Sequence, residues 1–155
     1  MITNTLQELY RLLKKNHTIM AIDYGEKKVG IAISNPNHTI AMPIGIIRQH
    51  KEDGKIREIL NIIQKHYVGG IILGLPVRMN GELDSGCIQV RKFAELLQSQ
   101  SDLPIYFQDE RLTSKEADNI LKSFNIKRKV RNSIDDAISA SLILETTLKM
   151  LVHNN

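Results

Sequence analysis

Hydrophobic positions along the chain repeat with two periods, and the changes from one to the other outline its elements. Leu6, Leu9, Tyr10 and Leu13 recur at helical spacing between residues 4 and 15, and Thr5 followed by Glu8 has the form of a capping box. Ile19 to Ile22 and Val29 to Ile33 are short apolar runs on either side of Tyr24-Gly25, a pattern of strand, tight turn and strand. A third β-prone run, Thr39 to Ile47, contains Pro43 and is expected at a sheet edge. Together the three predict an antiparallel meander. Ile56, Ile59, Leu60, Ile62 and Ile63 then predict an amphipathic helix within Lys55–His66, ended by Gly69-Gly70. Ile71 to Leu75 reads as a buried strand closed by Pro76. After an Asn80-Gly81 turn signal, Val90, Phe93, Ala94 and Leu97 mark a helix to about Gln100. Pro104 to Gln108 reads as the last strand. Thr113 and Glu116 cap a helix to about Phe124, and a final helix runs from about Ser133 to Val152. The alternation of strand and helix after the meander predicts an α/β fold with a mixed sheet.

Composition narrows the class. The chain has 155 residues, enough for one domain that buries roughly two thirds of its unfolded surface. Its 42% hydrophobic and 25% charged residues are ordinary for a globular protein, so no disulfide or cofactor is needed to hold the fold. No apolar run approaches the roughly 18 residues of a membrane span, and the N-terminus has no apolar core of a signal peptide. A cytoplasmic protein with no membrane partner is expected. The single Cys87 excludes an internal disulfide and a multi-cysteine zinc site and reads as a small buried side chain. The five histidines show no helical pairing, which argues against zinc. A net charge of +4 leans the surface toward polyanions.

Candidate chemistry lies in acids at the ends of elements: Asp23 after the first strand, Asp109-Glu110 after the last, and Asp135-Asp136 opening the final helix. Carboxylates that converge repel one another and are usually stabilised by a hard divalent cation with oxygen ligands. Two such ions about 4 Å apart can activate a water and stabilise the leaving oxygen in phosphodiester hydrolysis. On the final helix Asp136 shares a face with Ala140 and Ile143, whereas Asp135 lines up with Ser139, Thr146 and Lys149. The small residues Ala137, Ser139, Ala140 and Ser141 would let this turn approach the sheet closely. Each acid also has an ordinary reading. Asp23 suits an Asx turn, and Ser133 followed by Asp136 matches a capping box in which the acid only satisfies backbone donors.

Several ordered segments bring a family into view: Ile22 to Ser34, the Leu-Gly-Leu-Pro-Val-Arg-Met-Asn-Gly run at 73–81, Val90 to Ala94, Asp109 to Ser114, and Asp136 to Glu145. Together, over about Ile19 to Met150, they resemble the YqgF/RuvX family. The resemblance implies an RNase H-like fold, a five-stranded mixed sheet flanked by helices, with residues 1–17 as an extra helical extension and 18–155 as the nuclease domain. It further implies a metal-dependent nuclease using Mg2+ or Mn2+, two ions in number, in 5′-end maturation of pre-16S rRNA. The alternatives are a Holliday junction resolvase on branched DNA and a catalytically inactive binding module. By position, Asp23, Glu110 and Asp136 match the family's metal-binding and catalytic acids. Asp135 stands where the family has an apolar residue, and Asn35 where an Asp often follows the Ser. The implied strand order puts the ends of the first and last strands about 10 Å apart, at roughly 4.8 Å per strand, a long reach for Glu110.

Between Lys122 and Arg131 the chain has five cations and no acid. Such a run also suits a solvated loop. Beside the acids, Lys127, Arg128, Lys129 and Arg131 are expected to track nucleic-acid phosphates, and Arg111 to clamp a phosphate or equally to pair with a neighbouring acid. The turn Asp-Tyr-Gly-Glu-Lys-Lys-Val-Gly also resembles the phosphate-loop hairpin of the sugar kinase, Hsp70 and actin superfamily. Those proteins bind ATP between two such domains; this chain has room for one and shows no second copy of the motif.

Overall fold

The computed structural model of the protein describes residues 1–76, 85–110 and 128–153, the side chains of 128–136 and of 153 excepted. Its sheet has five strands: β1 (Thr18–Asp23), β2 (Val29–Ser34), β3 (Ala41–Ile47), β4 (Val68–Leu75) and β5 (Ile105–Asp109). Their order is β3-β2-β1-β4-β5. The predicted meander is antiparallel, β2 pairing with both β1 and β3, while β4 lies parallel to β1 and to β5. The parallel arrangement brings the carboxyl ends of β1, β4 and β5 to one edge of the sheet, where ligands bind in open α/β folds.

Strands β1, β2 and β4 are buried on both faces, with alternate side chains feeding two cores, while the edge strand β3 is largely exposed. On one face Met20, Ile22, Ile31 and Leu73 pack under helices α2 (Glu52–Lys65) and α3 (Ser85–Gln100) through Ile59, Phe93 and Leu97. On the other, Ile19, Ala21, Ala32 and Ile72 pack under α1 (Leu6–Leu12) and the last helix, α4 (Arg128–His153). Leu6 and Leu9 are fully buried there; at about 1.5–3 kcal/mol for each such side chain, they tie α1 firmly to the sheet. Met1 to Thr3 run along β5, with Thr3 N–H donating to the Ile105 carbonyl at 2.7 Å and Ile105 N–H to that of Met1 at 2.8 Å. Thr5 caps α1 as expected, its hydroxyl accepting from Glu8 N–H at 3.1 Å.

Two expectations are corrected. Gly69 and Gly70 do not end α2; they lie inside β4. The helix ends instead through Tyr67, at φ 52°, and the glycines leave room for α1 and the segment after it: a Cβ at Gly69 would sit 2.6 Å from His17 Cβ, and one at Gly70 2.7 Å from a Leu13 methyl. The last helix begins at Arg128 rather than Ser133, so Arg128, Lys129 and Arg131 occupy its first turn rather than a loop. Ser133 and Asp136 are interior, where backbone N–H groups bond carbonyls four residues back, and the capping-box reading of Asp136 fails. The helix predicted from Thr113 to Phe124 lies outside the described residues. No helix among them is long and apolar enough to cross a membrane.

Candidate active site

Asp23 closes β1 on the face of Ile19 and Ala21, the face covered by α4. Strand register sets its neighbours. Ile22 pairs with Leu73, so Asp23 stands beside Gly74, and Gly74 pairs with Gln108 on its other side. Along β5, Ile105 and Phe107 belong to the α2–α3 core and Tyr106 to the α4 core. Alternation therefore places Gln108 and Glu110 on the face of Asp23, and Asp109 on the opposite one. Glu110 remains bound to the sheet by its N–H, which donates to the Leu75 carbonyl at 3.1 Å.

The long reach for Glu110 is made possible by Gly74. A Cβ built there would overlap the Glu110 carboxylate, with Cδ at 2.7 Å, and would meet Ile143 Cδ1 at 2.7 Å. The Glu110 side chain thus lies across β4 in the space a side chain would fill, with Ile143 of α4 alongside. It ends in a hydrogen bond with the Asp23 carboxyl. Burial pushes the Glu110 carboxyl above the usual carboxylate range; the hydrogen bond with Asp23 opposes this, and the charge of Asp109 adds to it. Two carboxyl groups in contact disfavour ionisation of both, so such a pair favours sharing a proton or taking up a cation.

Helix α4 runs away from this edge. Ile143 lies against Gly74, whereas Leu148 and Val152 line a hollow of about 520 Å³ with His38 and Ala41 at the opposite edge. Neither Asp23 nor Glu110 lines that hollow. Residues preceding Ile143 therefore lead toward and past the carboxyl ends of the strands. Ala140, Ile143 and Thr147 are fully buried, and position 136 continues their stripe one turn before Ala140; the Asp136 side chain lies outside what is described. Among the described residues no group of three or more His, Cys, Asp or Glu side chains comes together as metal ligands. Arg111 and Lys127 lie outside the described residues, as do the side chains of Arg128, Lys129 and Arg131.

The opposite face holds residues that the motif reading passed over. Lys55 in α2 is fully buried. Its ammonium donates to the Glu26 carbonyl at 2.6 Å and to Glu52 Oε1 at 2.8 Å, and lies 4.7 Å from the centre of the Tyr24 ring. Tyr24 O–H donates to the same Glu52 oxygen at 2.7 Å, and its ring packs 4.6 Å from that of Phe93. Burial, followed by the bond to Glu52, pushes the Tyr24 hydroxyl pKa far up. In the sequence Lys55 sits four residues before Ile59, on the stripe that faces the sheet, but its acceptors come from other parts of the chain. Gln108 was also missed. It is buried, and its Oε1 has no hydrogen-bond partner among the described residues.

Comparison with known proteins matches residues 17–150 to the family model RuvX, described as Holliday junction resolvase. A protein of Rickettsia peacockii named as a candidate pre-16S rRNA nuclease is 53% identical over 148 residues, 96% of each chain. One of Rickettsia bellii with the same name is 52% identical over 151 residues, 97% of this chain and 98% of its own. Among solved structures, the RuvC of T. thermophilus in complex with a Holliday junction superposes at a TM-score of 0.53 with 12% identity, covering 87% of this chain and 96% of that one. The Fowlpox virus resolvase with its junction DNA gives 0.54 and 14%, covering 87% and 99%. These likenesses show the RNase H-like fold.

Proposed function

The chain belongs to the RuvX family, and from that premise we infer that it is a nuclease hydrolysing phosphodiester bonds in the 5′-end processing of pre-16S rRNA. The observation that carries the reading is the Glu110 carboxyl lying across Gly74 to meet Asp23. A fold gains nothing in stability from pressing two acids together in a half-buried place. A phosphodiester-cleaving site does, because such a pair supplies charge for a cation.

The donor set fits a hard divalent ion. Both groups are carboxylates, with neither thiolate nor imidazole beside them among the described residues, which suits Mg2+ or Mn2+ rather than zinc. Asp23, Glu110 and Asp136 would hold it, two ions being the number such a set serves. Bound there, divalent metal would supply water activation and stabilisation of the leaving oxygen. The chain's own groups do the rest. Asp23 and Glu110 fix the position of the charge at the carboxyl edge of the sheet. Gly74 and Ile143 hold the Glu110 side chain in place. Arg128, Lys129 and Arg131 in the first turn of α4, with Lys127 and Arg111, bind phosphates and orient the strand, contacts that carry no base information. A protein processing ribosomal RNA in this way works in the cytoplasm.

The test is cleavage of a pre-16S 5′ leader RNA and of a four-way DNA junction by wild type and Asp23→Asn in Mg2+ or Mn2+. Metal-dependent cleavage of the RNA by wild type and none by Asp23→Asn is the expected result. Cleavage confined to the junction would move the substrate to branched DNA, and full activity in Asp23→Asn would remove the site.

A further inference from the structure

We propose that Lys55 is a positioning residue of this site, holding the turn after β1 so that Asp23 is presented to Glu110. The proposal rests on Asp23 being a working acid of the nuclease, and it concerns groups on the other side of the sheet. A fully buried ammonium is expensive to desolvate, and an apolar side chain of the same length would fill the space at least as well. What the apolar side chain cannot do is bond a backbone carbonyl. All the ammonium's neighbours belong to the turn or to its anchor. The Glu26 carbonyl accepts at 2.6 Å, Tyr24 O–H lies at 3.5 Å, the Tyr24 ring centre at 4.7 Å, and Glu52, which neutralises the charge, at 2.8 Å.

These contacts grip the chain at residues 24 and 26, immediately after Asp23. Phe93, fully buried in α3, braces the Tyr24 ring from the same core. The peptide that follows Asp23 is thereby fixed to α2, while the Asp23 carboxyl projects on the α4 face. The pairing of β1 with β2 ends here, at Asp23 with Gly30. Loss of the ammonium would leave the turn free to shift, and a displacement of about 1 Å at a reacting centre lowers rate by up to about 100-fold.

Lys55→Met separates this role from simple packing, since it keeps the volume and removes the bond to Glu26. Wild type, Lys55→Met and Asp23→Asn are compared for melting temperature, for the rise in melting temperature on titrating Mn2+, and for kcat and KM on the RNA leader. Positioning predicts that Lys55→Met melts within a few degrees of wild type, needs about tenfold more Mn2+ for the same rise, and loses about tenfold or more in kcat with KM within about twofold. A merely structural role predicts a lower melting temperature with an unchanged Mn2+ midpoint and kcat, and that result overturns the proposal. Should Lys55→Met melt too low to assay, Lys55→Met with Glu52→Gln, which strands no charge, is measured against the same criteria. Full activity of Asp23→Asn sinks the reading of the site itself. An inactive Asp23→Asn beside a fully active Lys55→Met sinks only the role of Lys55.

Discussion

The two faces of the sheet meet at the turn after Asp23, and they carry charge in opposite ways. On the α2 side a buried cation is matched to a carboxylate, a carbonyl and an aromatic ring, so that every donor of Lys55 is used. On the α4 side two carboxyl groups are set against each other, and burial already disfavours the ionised form of one of them. The first arrangement is a satisfied anchor. The second sets two acids side by side, the pair that the proposed function assigns to a divalent cation. A cation matched to its acceptors marks the scaffold, and carboxyl groups brought together mark the proposed site.

The comparison breaks most readily at Glu110. Replacing it with Gln keeps the shape that fills the space over Gly74 and removes the charge. Cleavage should fall by about 100-fold or more, the scale on which loss of one group stabilising a transition state is felt, while nucleic-acid binding survives. Asp109→Asn, on the opposite face, should act mainly through stability. Rates and melting curves for both variants decide the matter, and a dead but folded Asp109→Asn beside an active Glu110→Gln would reverse the assignment.

Gly74→Ala sharpens the same comparison without touching any charged group. The added methyl meets the Glu110 carboxylate and the Ile143 methyl, and strand β4 is held by neighbours on both sides, so the side chains must yield. Glu110 should be pushed off Asp23, and cleavage should fall by about 10- to 100-fold. Destabilisation of about 1–3 kcal/mol is expected from overpacking alone. Ile143→Val in the Gly74→Ala background gives back space beside the methyl, and recovery of melting temperature without recovery of activity would show that the carboxylate, not the packing, is the sensitive contact.

The sequence carried more of the frame than of the site. Period-two and period-3.6 runs placed the five strands and helices α1, α2 and α3 to within a few residues, because each element has one face or both in a core. That only one of Asp109 and Glu110 can face the cleft was likewise legible, as alternation along a strand is a local property, while the preference for Glu110 came from the family motif. The start of α4 was not, because Arg128 to Asn132 offers few apolar positions to reveal a period. Gly69-Gly70 read as punctuation because their reason, close passage of His17 and Leu13, comes from residues about 55 positions earlier. Gly74 and Lys55 were missed for the same cause. A missing side chain matters only when another residue crosses it, and a buried lysine on an amphipathic helix looks like any surface cation until its acceptors fold around it.

The smallest effect distinguishes the faces by their response to pH. Glu110 has its folded-state pKa raised, so the folded protein favours the protonated group more than the unfolded chain does. Its contribution to stability is then fully present below the unfolded pKa of about 4.3 and is lost as pH rises toward the raised value. Ionising Glu110 costs the folded protein more than the unfolded chain, a burden that Glu110→Gln does not have. The metal-free variant should therefore melt a few degrees above metal-free wild type at pH 7.5, and the gap should close as pH is lowered toward 4.5. Added Mn2+ should narrow it from the other direction, by raising wild type more than the variant. Glu52→Gln, on the α2 face, removes a carboxylate that already has its cation, and should lower the melting temperature at pH 7.5. The two melting differences should have opposite signs. If Glu110→Gln also melts below wild type at neutral pH without metal, the acid pair is satisfied within the chain, and the contrast between the two faces does not hold.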